Sequence, residues 1–344
     1  YGLEQMMESE LNFLKTTVLS KSMEPVILYS DMPMEEMAKD KEFPKKWMFG
    51  MAMMIKKGLH LHQVHNIDRP LPEMMLGLEG WIPMYMTGQI TPYYVKGIQN
   101  QTFLHFLRVS GAAALSGEAI TGHHAEGRYY LSKTKEDISY YRKRGEALLK
   151  EASPLMDIYR EDDAAKLKAF LSNSRGYNAD CTHILSAPPI YTMDSNYLTV
   201  FLDRHNISET DKEKIIDYAK SERQHLEKFL NDNFITDEIA IVSKEEFEQF
   251  PLTLSLSRIF YEKDITYTYE DYLAHLEQTK EFEKTHHGYN VKETTSQTFR
   301  NLQITIMKNR WVMLSKNKAP AIHFVIHNPK LYKAIANFYP PIVE

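Results

Sequence analysis

The order of short apolar runs constrains this chain more than any single motif in it. Residues 102–109, 112–120 and 128–131 have strand length and strand composition, and a helical pattern opens after them at Thr134, with Asp137 in capping-box position. Residues 302–307, 311–315 and 322–326 form a second such trio. It too runs into a helix, opened by Asn328 and Pro329, with Leu331, Ile335 and Phe338 on one face and Pro340 and Pro341 at its end. Ahead of the first trio, residues 24–32 form a buried apolar run. A helical stretch from Pro44 to Gly58 follows, then a second strand from Leu59 to Asn66. Parallel strands need a long crossover between them, so strand, helix and strand predict a βαβ unit. Ahead of the second trio, a strand at 180–186 and a helix from Ser208 to Leu230 start the same order. The expectation is an α/β fold, duplicated, with mixed sheets flanked by helices. Two unrelated α/β halves would give a similar order, since residue identity between them is slight.

The 344 residues exceed the roughly 100 to 200 of a typical domain. The expected division is an N-terminal helical linker at 1–22, a first α/β half at 23–155 and a second at 156–344. In the linker, Leu3, Met6, Met7, Leu11, Leu14, Val18 and Leu19 recur at three- and four-residue steps. That stripe needs a cover, either its own domain or a second copy in a homodimer. Asp31 is placed to cap a short helix through Met37.

Net charge is −5, with Lys and Arg spread along the chain rather than gathered into the basic face that nucleic-acid binding requires. The longest apolar run, Trp47 to Ile55, falls far short of the ~18 residues of a membrane span, and no leader pattern opens the chain. A cytoplasmic location is expected, and no membrane partner. Cys181 is the single cysteine, which excludes an internal disulfide and a Cys-rich zinc cage. The first residue is Tyr rather than Met, from which an upstream domain is expected.

Residues 59–94 interleave three His, one Trp and three Tyr with four Pro and three Gly. Such a mixture suits a concavity held by turns. Ligands of open α/β sheets bind near the carboxyl ends of strands. A site for a small molecule is therefore expected at the end of the 59–66 strand, lined by His65, Asp68, Arg69, Glu73, Trp81, Tyr85 and Tyr94, with the carboxylates favouring protonated His65. The competing expectation makes Trp81 and its neighbours a core plug. His60 and His62 share one face of a strand and His65 takes the other, so no metal is expected, and no cofactor is implied.

Catalytic signatures are sparse. Gly122 to Gly127 has P-loop glycine spacing but lacks the Lys and Ser/Thr that hold phosphate and magnesium. Cys181 and His183, two apart on a strand, form a nucleophile and its base or, as the stronger expectation, a buried structural thiol beside a histidine. Glu118 with His123 and His124 offers acid–base groups, and a hydrolase or transferase using His65 and Glu118 is the alternative to a binding domain.

The block from His65 to Tyr94, with AAALSGEAITGHHAEGRYYLS and the terminal IHFVIHNPKLYKAIANFY, resembles the C-terminal effector region of bacterial helix-turn-helix transcriptional regulators. That resemblance implies a non-enzymatic, small-ligand-sensing domain that reaches DNA only through a separate N-terminal domain. The order of elements is also similar to the phospholipase D superfamily, some members of which are non-catalytic. Active members carry His-x-Lys-x(4)-Asp in each half. None of the fourteen His here is followed by Lys two positions on, so the resemblance implies the fold without that phosphodiesterase chemistry.

Overall fold

A computed structural model of the protein describes residues 1–34, 37, 39–95, 102–174, 178–256, 263–295, 302–316 and 321–337. The helix expected through Met37, and Phe338, Pro340 and Pro341 at the other end, fall wholly or partly outside these residues. The chain divides into two compact units. Unit 1 comprises Tyr1–Met156 with Asn328–Ile335, and unit 2 comprises Asp157–His327 with Ala336–Glu344.

Unit 1 runs α1 (Gly2–Leu19), β1 (Val26–Ser30), α2 (Phe43–Lys56), β2 (Leu61–His65), α3 (Leu71–Tyr85), β3 (Ile90–Val95), β4 (Phe103–Val109), β5 (Ala114–Ile120), β6 (Arg128–Ser132), α4 (Lys135–Glu151) and β7 (Ala152–Pro154). Its strands order as β6-β5-β4-β1-β2-β3-β7. Strands β1, β2 and β3 are parallel, as their helical crossovers require, and β4, β5 and β6 return as an antiparallel meander. Thr134 caps α4 through its side chain, accepting from the Asp137 amide.

Unit 2 runs β8 (Asp157–Arg160), α5 (Ala164–Ser174), β9 (Cys181–Leu185), α6 (Ser195–Asp203), α7 (Glu209–Phe229), β10 (Ile235–Ala240), α8 (Lys244–Gln249), α9 (Tyr269–Thr285), β11 (Tyr289–Thr294), β12 (Leu302–Met307), β13 (Trp311–Lys316) and β14 (Ile322–Ile326). Its order is β11-β10-β9-β12-β13-β14-β8. From the parallel edge, β3-β2-β1-β4-β5-β6 and β11-β10-β9-β12-β13-β14 are the same six-strand topology. The fold is therefore a duplicated α/β architecture of two seven-stranded mixed sheets with flanking helices, as the phospholipase D-like resemblance implies.

One local expectation is corrected. Residues 71–85 are helical rather than turn-bound. Pro72 sits in the first turn, where no amide partner is lost, and Pro83 in the last. Asp31 precedes the expected short helix, which lies partly outside the described residues. The Asp31 carboxylate accepts from the Tyr29 hydroxyl and the Asn66 amide. Of the apolar stripe of α1, Met6 and Leu14 are buried inside unit 1 together with Phe13, and Leu14 lies against Gly50 of α2, whereas Leu19 is exposed.

Candidate functional site

Side chains of a strand alternate between faces. Ser30 of β1, Gln63 and His65 of β2 and Arg108 of β4 thus look toward α2 and α3, and between them lies a cavity of about 420 Å³. His65, Arg69, Glu73, Trp81 and Tyr85 line it, so five of the seven expected residues are brought together. Asp68 is instead held by an ion pair with Lys330, and Tyr94 lies on β3 outside the lining. Trp81 stacks on Tyr85 at 5.9 Å and meets His65 edge-on at 5.3 Å.

The chemistry of this cavity is quiet. The Tyr85 hydroxyl lies 2.5 Å from His65 Nε2. Burial, and then the positive charges of Arg69 and Arg108, push the His65 pKa down to about 3. The expectation of a protonated His65 is thereby corrected, because the nearest charges are guanidinium groups rather than free carboxylates. Arg69 donates to Glu73 at 3.0 Å and to the carbonyls of Met32 and Ser30. Arg108 donates from Nε and Nη2 to Glu10 at 3.0 Å, and Trp47 Nε1 donates to the same carboxylate. Glu118 is exposed on β5, opposite His105 and Arg128 and outside the lining, so no His65–Glu118 pair forms.

Unit 2 has the more reactive floor. Parallel pairing of β9 with β10 sets His183 directly beside Asp237. His183 Nδ1 is 2.7 Å from Asp237 Oδ1, and its Nε2 is 3.4 Å from Cys181 Sγ. The Asp237 carboxylate is fully buried and its other oxygen accepts from the Tyr191 hydroxyl at 2.6 Å and the Tyr289 hydroxyl at 2.5 Å. Arg223 of α7 in turn donates to the carbonyls of Tyr191 and Met193, fixing the turn that carries Tyr191. Burial opposes protonation of His183, but the charges and hydrogen bonds of Cys181 and Asp237 outweigh it and hold the pKa well above the ordinary range.

Cys181, His183 and Tyr191 open on a cavity of about 210 Å³, walled by Leu167, Leu226, Phe229 and Met313. Trp311 and His323 also line it, and Trp311 Nε1 and His323 Nε2 are buried without a hydrogen-bond partner among the described residues. Sequence spacing found Cys181 and His183 but missed Asp237, 54 residues from His183. The available signal was an Asp at an inward position of the alternating run Ile235–Asp237–Ile239.

No helix among the described residues is long and apolar enough to cross a membrane. No family model and no curated protein matches the sequence. Among solved structures, a polyphosphate kinase from Porphyromonas gingivalis aligns with 96% of this chain and 47% of its own, at 9% identity and a TM-score of 0.29. The chain thus spans about half the length of that protein. That structure is of an enzyme, and no family model or curated protein supports a regulator, so the expectation of a non-enzymatic effector domain of a transcriptional regulator is corrected.

Proposed function

We propose that the chain is a group-transfer enzyme, a hydrolase or transferase working by nucleophilic catalysis in unit 2. The observation that carries this is the continuous chain from Cys181 Sγ through the His183 imidazole to buried Asp237, opening on a cavity. A nucleophile, a base within reach and a third group that orients the base are the parts such chemistry needs. Asp237 accepts from Nδ1–H and leaves Nε2 aimed at Cys181. The raised pKa keeps His183 an imidazolium at rest, stabilised by the Asp237 carboxylate, and its Nε2–H faces the sulfur, which attacks as the thiolate.

The sulfur attacks an electrophilic acyl carbon, forming a C–S bond as the bond to the leaving group breaks, and the imidazolium gives its proton to that group. Water or a second acceptor then attacks the thioester. His183 removes its proton, the C–S bond breaks and the thiolate reforms. Trp311 Nε1–H is a donor without a partner on the same floor, suited to an oxygen gaining negative charge.

Because Cys181 is the single cysteine, alkylation read by intact mass reports on it alone. Native chain is expected to react with iodoacetamide at least about tenfold faster than His183→Asn or Asp237→Asn variants of unchanged near-ultraviolet dichroism. p-Nitrophenyl acetate is expected to give a burst stoichiometric with chain that Cys181→Ser lacks. Equal alkylation rates in all three proteins, with no burst, would sink the assignment.

A further inference from the structure

The unit 1 cavity has the charge balance and open valences of a binding site. Its two guanidinium groups are matched by Glu10 and Glu73, and His65 is neutral across the physiological range. Two polar atoms remain open. Arg108 and Gln63 line the cavity, and their Nη1 and Oε1 atoms are buried with no hydrogen-bond partner among the described residues. Gln63 Nε2 donates to the Val64 carbonyl, which fixes the oxygen as the free end. Unpartnered buried donors and acceptors cost stability, so a chain that keeps one of each against a cavity has left them for something that enters it.

The roof gives a second, independent sign. Gly77 and Gly80 sit inside α3 and line the cavity, although glycine is the worst ordinary residue for a helix interior. Neither is there for close packing. A Cβ at Gly80 would meet nothing within 4 Å, and one at Gly77 would only touch Met34 at 3.5 Å. The two glycines hold volume open beneath the helix.

We infer that unit 1 binds a neutral, flat, apolar-bodied small molecule bearing a carbonyl acceptor and an adjacent N–H donor, the amide and lactam class. Arg108 Nη1 donates to its carbonyl and its N–H donates to Gln63 Oε1. The flat body lies among Trp47, Trp81 and the methionine thioethers, surfaces that favour polarizable rings. A carboxylate is disfavoured because it would set an oxygen against Gln63 Oε1 and bring a charge into a site already neutral.

Isothermal titration with 2-naphthamide, 2-naphthoate and naphthalene separates the possibilities. Saturable binding of 2-naphthamide is expected, with 2-naphthoate and naphthalene each at least about tenfold weaker. Arg108→Lys and Gln63→Leu are each expected to weaken the amide about tenfold, and Gly80→Leu to abolish saturable binding while the melting temperature holds or rises. Absence of saturable binding by 2-naphthamide, tighter binding of the carboxylate, or binding unchanged by Gly80→Leu would overturn the inference. Cys181 alkylation is independent of all these arms, so this inference and the catalytic proposal fail separately.

Discussion

The two units share one topology and furnish it in opposite ways. Counted from the first paired residues, Val26↔Leu61 and Cys181↔Ile235, the row Leu28–Gln63–Arg108 in unit 1 corresponds to His183–Asp237–Thr305 in unit 2. One row is a leucine flanked by a neutral amide and a neutralised guanidinium, over a wide cavity. The other is a histidine locked to a buried carboxylate, over a smaller one. The helices above differ to match. In unit 1, α2 and α3 carry Gly50, Gly77 and Gly80, whereas α7 and α9 of unit 2 carry no glycine. Duplication supplied one scaffold, and a few inward positions decide whether it holds volume or reactive groups.

The largest expected contrast comes from truncating the two corresponding positions on β2 and β10. Asp237→Ala leaves His183 and two tyrosine hydroxyls without their acceptor, a loss of about 3–5 kcal/mol by analogy with broken buried pairs. The accelerated alkylation of Cys181 should vanish with it. Gln63→Ala removes one side-chain hydrogen bond and should cost about 1 kcal/mol apart from the added space. Native-state hydrogen exchange along β10 and β2 reads the two separately. Equal destabilisation would break the comparison.

Acid should separate the units next. The folded-state pKa of His65 is about 3 against 6.5 when unfolded, so the unfolded chain binds the extra proton between these values. The contribution is whole above about 6.5 and is lost as pH falls toward 3, a change on the order of 5 kcal/mol. His275, at about 3, and His323, at about 4, act in the same direction in unit 2. His183 acts oppositely: its raised pKa adds stability below about 6.5 that is lost as pH rises through the folded value. His65→Gln should therefore flatten the acid limb for β2 amides and leave β10 amides unchanged. A variant whose β2 protection falls with pH as steeply as the parent's would show that His65 does not titrate as the buried geometry implies.

Much of this division was written in the sequence at the level of elements and little at the level of partners. Apolar runs bounded by turn residues located β1, β2, β4, β5, β6, β9 and β12 to β14, because a half-buried strand needs its period and little else. The helix α3 was hidden, since Pro72, Gly77, Gly80 and Pro83 are breakers in any local reading and only tertiary packing overrides them. The composition of residues 59–94, which include that helix, nonetheless named five residues of the unit 1 cavity. In unit 2 the pair of Cys181 and His183 was visible but lacked weight, because the buried carboxylate that orders it arrives through strand register across 54 residues.

A smaller effect tests whether the unit 1 charges are a closed pair. Glu10→Gln removes the carboxylate from Arg108 while both side chains stay almost fully buried, so about 3 kcal/mol should be lost. On β10 the Glu238–Lys292 pair is largely solvated, and Glu238→Gln should cost less than about 1 kcal/mol. Chemical denaturation of both variants decides this, and a Glu10→Gln protein as stable as its parent would mean that Arg108 is satisfied in some other way.

The smallest expected effect has the opposite sign. Gly80→Ala adds a methyl group where nothing lies within 4 Å and restricts the unfolded backbone, so α3 should gain up to about 1 kcal/mol. Gly50 in α2 is the control. Its added Cβ would fall 2.8 Å from Leu14 Cδ1 and 3.1 Å from Leu14 Cβ, so α1 would have to retreat and Gly50→Ala should lower the melting temperature. Both glycines sit in helices of unit 1 and both exchange the same atoms, so their difference isolates space from helix propensity. If Gly80→Ala destabilises as Gly50→Ala does, the volume under α3 is not open, and unit 1 loses the feature that most distinguishes it from unit 2.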